Sequence, residues 1–288
     1  MAASTPSRSI EDLLRAGTAH LSEFEDAAFD AEFLLRGVSG LSRAEVLAHG
    51  DRPMPADVVT RFDDAIERRR RHEPMQYILG VASFWRDDFV VNPAVLIPRT
   101  ETEILVEAVA TRLRDHAAPT VLDLGTGSGC IVLSLLRELP RANAVAVDLS
   151  HEALAVASEN AARLNLSNRI ALKPSCWYSG LDSDQTFDAI VSNPPYVAVT
   201  DKKTLPRDVR EYEPALALFA DEDDDISSYR AIVHEMGNRL RSAGLLALEV
   251  GMGQSDRVAD LLRAAGFVQV EALPDFASIQ RVVLGRRA

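Results

Sequence analysis

Val121-Leu122-Asp123-Leu124-Gly125-Thr126-Gly127-Ser128-Gly129 is the stretch that decides the fold. An apolar run of strand length breaks into three alternate glycines just before a helical pattern that begins near Cys130. Glycine adopts the left-handed backbone that a tight turn needs, and without β-carbons the loop can lie against a ligand. The helix that follows starts with backbone N–H groups lacking internal partners, which suit polar ligand atoms. Asp148 closes the next apolar run, where a carboxylate can accept hydrogen bonds from both hydroxyls of a ribose. Gly125, Thr126, Gly127, Ser128, Gly129 and Asp148 are therefore candidate cofactor-binding residues.

Outward from this loop, short apolar runs alternate with helical segments, the signature of an open α/β sheet with a largely parallel core. Strands are expected at 120–124, 144–148, 170–173, 187–192, 244–249, 267–273 and 278–285, and a helix at 103–114. Only Pro274 and Asp275 separate the last two strands clearly, so these should pair as an antiparallel hairpin at one end of the sheet. Upstream, Ile10, Leu13, Leu14 and Leu21 share one helical face, and Val58, Phe62 and Ile66 recur four apart. Ser42 followed by Glu45 is a capping-box signal for a helix start. This predicts a compact all-helical unit that ends near Pro74. The run Arg68 to Arg71 closes its last helix, where cations suit the helix dipole; it reads as a solvated face or as a contact for RNA or an acidic partner. Between the two patterns, 88–91 and 94–97 read as a β-hairpin around Asn92 and Pro93. The expected organisation is a helical domain at 1–80, a hairpin linker at 81–100 and an α/β domain at 101–288.

A chain of 288 residues, 47% hydrophobic, has material for one large core and a smaller one. Its net charge of -12 argues against a surface built to neutralise phosphates. The two cysteines, Cys130 and Cys176, are spaced as neither a metal pair nor a disulfide framework; both read as packing residues, and a reducing cytoplasm suits them. No metal site is expected. Neither the first ten residues nor any later stretch has the apolar length of a signal peptide or a membrane span, so a cytoplasmic protein is expected. The acidic run 221–225 reads as a solvated loop.

The second motif is Ser192-Asn193-Pro194-Pro195-Tyr196, directly after the apolar run 187–191. Consecutive prolines hold the chain extended and remove two N–H donors, which leaves a rigid site of acceptors. Such a site suits methylation of a nitrogen whose lone pair is delocalised into a carbonyl or an aromatic ring. A planar NH₂ has two donors; the Asn193 side-chain oxygen takes one, the Pro194 carbonyl takes the other, and the Tyr196 ring packs on the flat face. No general base is strictly required, because attack on a sulfonium discharges it and the nitrogen then sheds its proton.

The glycine spacing separates this chain from nicotinamide-dependent dehydrogenases, whose fingerprint wants Gly-x-Gly-x-x-Gly where position 130 here is Cys. It resembles instead the S-adenosyl-L-methionine loop of Rossmann-like methyltransferases. From about Pro74 to Arg286 the chain is similar to the protein-(glutamine N5) methyltransferases that modify release factors, the PrmC or HemK family. The resemblance rests on Ile97-Pro98-Arg99 with Glu101-Thr102-Glu103, the glycine loop, Asp148, Asn193 to Tyr196, Asp208-Val209-Arg210, Tyr212-Glu213-Pro214 and Ala217-Leu218.

The resemblance implies a class I methyltransferase fold: a seven-stranded, mostly parallel sheet with the last strand antiparallel, and a small N-terminal helical domain joined by a hairpin. It implies S-adenosyl-L-methionine as cofactor, S-adenosyl-L-homocysteine as product, and as substrate the glutamine of the Gly-Gly-Gln motif in class I, bacterial-type peptide chain release factors. Gly125 to Gly129 would line the methionine part of the cofactor, Asp148 its ribose, and Trp177 its adenine. Asn193 would touch cofactor and glutamine, with Pro194, Pro195 and Tyr196 completing the glutamine pocket and the helical domain holding the release factor. A monomer that needs no direct nucleic acid and no membrane is expected. Two departures stand out: Cys176 where the family often has Asp before the aromatic residue, and Thr100 where it usually has Pro after the Pro-Arg pair. Because Asn-Pro-Pro-Tyr also occurs in adenine-N6 methyltransferases acting on DNA or RNA, that activity is the first alternative. A non-catalytic adaptor keeping the fold is the second.

Overall fold

The computed structural model describes residues 8–221 and 224–288 of the chain. The stretch before residue 8 and positions 222 and 223 of the acidic run lie outside the described residues. Two compact units are distinguished: one runs to Gly80 and takes in Arg207–Tyr212, the other holds the rest.

In the first unit, helices α1 (Ile10–His20), α2 (Ala27–Ser39), α3 (Arg43–Ala48), α4 (Ala56–Arg70) and α5 (Met75–Leu79) surround one apolar core. Ser9 with Asp12 and Ser42 with Glu45 form complete capping boxes, satisfying otherwise orphaned first-turn donors of α1 and α3. Ile10, Leu13, Leu34, Leu35 and Phe62 are fully buried; α1 approaches so closely that a β-carbon on Gly17 would lie 2.8 Å from Phe62 Cζ. The unit does not end at Pro74: that proline caps α5, a helix too short for periodicity to reveal. The arginine run at the end of α4 is taken up by carboxylates of the same unit. Arg69 pairs with buried Asp30 at 2.7 Å, Arg68 with Glu73 at 2.8 Å, and Arg70 and Arg71 both with Glu67.

The second unit begins with a hairpin, β1 (Val81–Phe84) and β2 (Asp87–Val90), turning at Trp85 with φ +56°. The expected partner of the 88–91 run was 94–97, and this is corrected: Phe89 faces Ala82, while 94–97 is an irregular segment whose Val95 and Ile97 are buried in a loop. The Asn92 side chain accepts the Ala94 N–H at 2.9 Å, holding a turn where a strand would need extended backbone.

Helix α6 (Glu103–Leu113) then leads into β3 (Thr120–Leu124), α7 (Cys130–Glu138), β4 (Asn143–Asp148), α8 (His151–Arg163), β5 (Ile170–Pro174) and β6 (Phe187–Ser192). After α9 (Arg207–Tyr212) and α10 (Ala215–Leu218) come α11 (Ser227–Glu235), β7 (Leu240–Glu249), α12 (Ser255–Ala264), β8 (Phe267–Pro274) and β9 (Gln280–Arg287). The seven strands lie in the order β5-β4-β3-β6-β7-β9-β8. All pairs are parallel except β7–β9 and β8–β9, so β9 alone runs against the others. Because helices cover both faces, the central strands are largely apolar, and every residue of β6 is buried, Asp188 and Ser192 included. No helix among the described residues is long and apolar enough to cross a membrane. At the acidic run, Asp224 pairs with Arg230 at 2.8 Å and Asp225 with Arg257 at 2.5 Å.

Candidate active site

Strands β3 and β6 end level. Leu124 faces Ser192 in the parallel register, and Ser192 Oγ donates to the Leu124 carbonyl at 2.7 Å. Gly125 and Asn193 therefore leave the sheet side by side, where successive connections depart to opposite sides, the usual place for a ligand in an open α/β sheet. A cavity of about 500 Å³ opens there, a volume typical of small-molecule sites. Gly125 to Ser128, Asp148, Trp177, Asn193 and Pro195 line it, with segments 94–99 and 214–217 as further walls.

The glycine loop turns back under β4. Gly125 and Thr126 both donate to the Val147 carbonyl at 2.9 Å, and Gly127 takes φ +54°, with open space where its β-carbon would be. Asp148 is held by two backbone donors, Gly127 N–H on Oδ2 and Ser150 N–H on Oδ1, each at 2.9 Å. Each carboxylate oxygen keeps lone-pair capacity for a further donor, as a vicinal diol requires. Beneath the loop, fully buried Asp123 accepts from Thr126 Oγ1 at 2.6 Å; burial pushes its carboxyl up to about 7 against that hydrogen bond. Buried Ser128 Oγ has no hydrogen-bond partner among the described residues.

Trp177 stands at φ +46°, a backbone region that a bulky residue rarely occupies; Ser175 Oγ donates to its carbonyl at 2.8 Å and holds it there. The half-buried indole lines the cavity. Cys176 beside it is exposed, contrary to its expected packing role, because the segment after β5 carries it to the rim. Cys130 is buried, and burial pushes its thiol up to about 12, which suits packing rather than nucleophilic chemistry.

In the Asn-Pro-Pro-Tyr loop the four residues part company. Asn193 and Pro195 line the cavity; Pro194 is buried and Tyr196 lies outside the lining. Two loop carbonyls are spent internally, Pro195 on Ser228 Oγ at 2.9 Å and Tyr196 on Gln254 Nε2 at 3.0 Å. Among the described residues none donates to the Pro194 carbonyl or to Asn193 Oδ1. Asn193 Nδ2 donates to Thr102 Oγ1 at 3.4 Å, Thr102 Oγ1 to Glu249 Oε2 at 2.5 Å, and Tyr196 OH to Glu249 Oε1 at 3.4 Å.

Glu249 closes β7 with 2% of its surface exposed, and burial pushes its carboxyl up to about 7. Its place in the site was missed, as was that of Thr102. The available signal was a lone carboxylate ending the apolar run 245–248, the same placement that marks Asp148 on β4. Arg99 and Glu213, paired at 2.6 Å, tie the segments 94–99 and 213–217 together. The lining as a whole fits a nucleoside carrying a charged polar chain: a carboxylate for the diol, an indole for the flat ring, and side-chain-free backbone for the remainder.

Comparison with known proteins agrees along the chain. Residues 12–80 match the PrmC N-terminal domain and residues 100–208 the methyltransferase small domain. The release factor glutamine methyltransferase of Caulobacter vibrioides is 41% identical over 278 residues, 95% of this chain and 96% of that one. That of Moorella thermoacetica is 42% identical over 264 residues, 91% and 92% of the two chains. Among solved structures, the hMettl16 catalytic domain in complex with MAT2A 3′UTR hairpin 6 superposes with a TM-score of 0.54 at 18% identity, over 80% of this chain and 81% of that one, a likeness of fold alone. With identity of this order over nearly the whole sequence, and with both family domains in place, the chain belongs to the release factor glutamine methyltransferases.

Proposed function

We propose that this protein transfers a methyl group from S-adenosyl-L-methionine to the side-chain amide nitrogen of the glutamine in the Gly-Gly-Gln motif of peptide chain release factors, leaving S-adenosyl-L-homocysteine. One observation carries the reading: Asn193 Oδ1 and the Pro194 carbonyl, consecutive acceptors at the end of β6, have no donor among the described residues. A primary amide has two hydrogens on one nitrogen, so it matches a pair of fixed acceptors in a way that an alcohol or a thiol does not.

When bound, the cofactor supplies a methyl carbon on a positively charged sulfur, open to direct attack by a neutral nitrogen. Asn193 Oδ1 and Pro194 O orient that nitrogen by its two hydrogens, Pro195 bounds the pocket that holds the amide plane, and Tyr196, outside the lining, fixes the far end of the loop through Glu249. Gly125, Thr126, Gly127, Ser128 and Gly129 receive the amino-acid end of the cofactor, Asp148 the ribose hydroxyls, and Trp177 the adenine. Holding a poor nucleophile in line is the main contribution of these residues, since positioning alone can supply several kcal/mol of a barrier. In the same reading, residues 1–80 hold the release factor, and the protein acts in the cytoplasm as a monomer without contacting nucleic acid.

The test is transfer of methyl-labelled S-adenosyl-L-methionine to three acceptors in parallel: a bacterial release factor, duplex DNA and an RNA hairpin. Label in the release factor alone is the expected result. Label in either nucleic acid with none in the release factor contradicts the reading and points to an adenine-N6 activity.

A further inference from the structure

The buried residues behind Asn193 decide which end of its carboxamide is offered to a substrate. Glu249 carries the argument. When ionised it can only accept hydrogen bonds, and it receives the Thr102 hydroxyl at 2.5 Å and the Tyr196 hydroxyl at 3.4 Å. A hydroxyl has one hydrogen. Because Thr102 gives its hydrogen to Glu249, Thr102 Oγ1 can only accept from Asn193, and it does so from Nδ2 at 3.4 Å. An Asn193 turned the other way would set its carbonyl oxygen against a hydroxyl with no hydrogen left to give.

We propose that Thr102 and Glu249 are positioning residues, which hold the Asn193 carboxamide with its NH₂ inward and so leave its oxygen as the group a substrate nitrogen meets. The inference rests on the reading of Asn193 given above and deepens it. The arrangement is built for this purpose in two further respects. Thr102 and Glu249 are each 2% exposed, so water does not compete for the hydrogen bonds. Glu249 also anchors the Tyr196 hydroxyl, so one carboxylate restrains both ends of the Asn193 to Tyr196 loop from a different strand. Burial opposes the ionised form of Glu249 and Glu101 opposes it further, while Thr102, Arg281 and Tyr196 favour it, so the acceptor-only state holds as pH rises above about 7.

The experiment is steady-state methylation of a release factor by the full-length protein and its variants, with S-adenosyl-L-methionine binding measured by calorimetry. Thr102→Val keeps the shape and deletes the hydroxyl. Its kcat should fall by about tenfold or more, the size of one oriented hydrogen bond, while the cofactor dissociation constant stays within about threefold. Thr102→Ser restores the hydroxyl and should recover most of the lost kcat, which a purely structural role for the threonine methyl would not permit. Glu249→Leu repeats the test from the other end: with the acceptor gone, the Thr102 hydrogen is free to turn to Asn193 and occupy its oxygen, and kcat should fall again with cofactor affinity kept. Wild-type kcat in Thr102→Val or in Glu249→Leu overturns the inference. Asn193→Ala, run alongside, separates the two levels. If it is inactive while Thr102→Val is not, only the positioning role fails; if Asn193→Ala turns over normally, the reading of the site fails with it.

Discussion

The two loops that leave the sheet at Leu124 and Ser192 start from paired residues and solve opposite problems. After β3 the chain discards side chains: Gly125 and Gly127 bend through left-handed backbone that a β-carbon would strain, and the N–H groups of Gly125, Thr126 and Gly127 fasten the loop to the Val147 carbonyl and to Asp148. After β6 the chain discards donors: Pro194 and Pro195 have no N–H, and the loop presents oxygens. In the proposed reading the first loop makes room for the cofactor and holds Asp148 toward its hydroxyls. The second is held from behind by Ser228, Gln254 and the Thr102–Glu249 pair, which suits the orienting role proposed for it. In the proposed reading, the carboxyl ends of two neighbouring central strands thus separate binding from orientation: a side-chain-free loop that braces Asp148 after β3, and a loop of lone pairs after β6.

If that contrast is right, damage to the second loop should appear in turnover and damage to the first in affinity. Asn193→Ala should produce the largest effect, a loss of kcat of about 10²–10³-fold with the cofactor dissociation constant changed little, by analogy with removal of one positioned hydrogen-bonding group. Comparable losses in affinity and turnover would blur the division. Asp148→Ala removes an acceptor that Gly127 and Ser150 hold ready, and should weaken S-adenosyl-L-methionine by about ten- to a hundredfold, one to three kcal/mol, with kcat at saturation nearly intact. Titration calorimetry decides it. Gly127→Ala places a β-carbon on a backbone at φ +54°, a strain of about 1–2 kcal/mol, and should raise the dissociation constant by roughly tenfold.

A separate effect, on stability and not on turnover or affinity, follows from Glu249. Glu249 has a folded value of about 7 against 4.5 in the open chain, so the folded state keeps a proton that the unfolded state has released. The stability this gives is full below about 4.5 and drains away as pH rises through 7, at no more than ~1.4 kcal/mol per pH unit. Glu249→Gln, neutral throughout, should lose less stability than the wild type between pH 5 and pH 8. Urea unfolding at the two values checks this; an equal pH dependence in both proteins would contradict it.

What could be read from the sequence followed from distance along the chain. Both loops are local: the turn at Gly125 to Gly129 and the prolines at 194 and 195 carry their backbone geometry in consecutive residues, and the seven strands announce themselves as apolar runs. The pair Thr102–Glu249 lies 147 residues apart, and no periodicity connects a threonine after Glu101 to a carboxylate closing β7; only the sheet brings them together. The hairpin was misassigned for a related reason. Residues 94–97 are as apolar as a strand, but their burial comes from a loop against the cavity, while the true partner of Phe89 is the weaker run 81–84. Cys176 shows the converse, an apolar residue type placed on the rim by the backbone bend at Trp177.

The account stands on a carboxamide nitrogen held by two lone-pair donors of one loop, and mass spectrometry of the Gly-Gly-Gln peptide tests it most directly. A bacterial release factor incubated with S-adenosyl-L-methionine and this protein should gain one methyl group, located by fragmentation on the glutamine side chain, and should gain almost none with Asn193→Ala. A methyl group on any other residue, or full modification by the alanine variant, would contradict it.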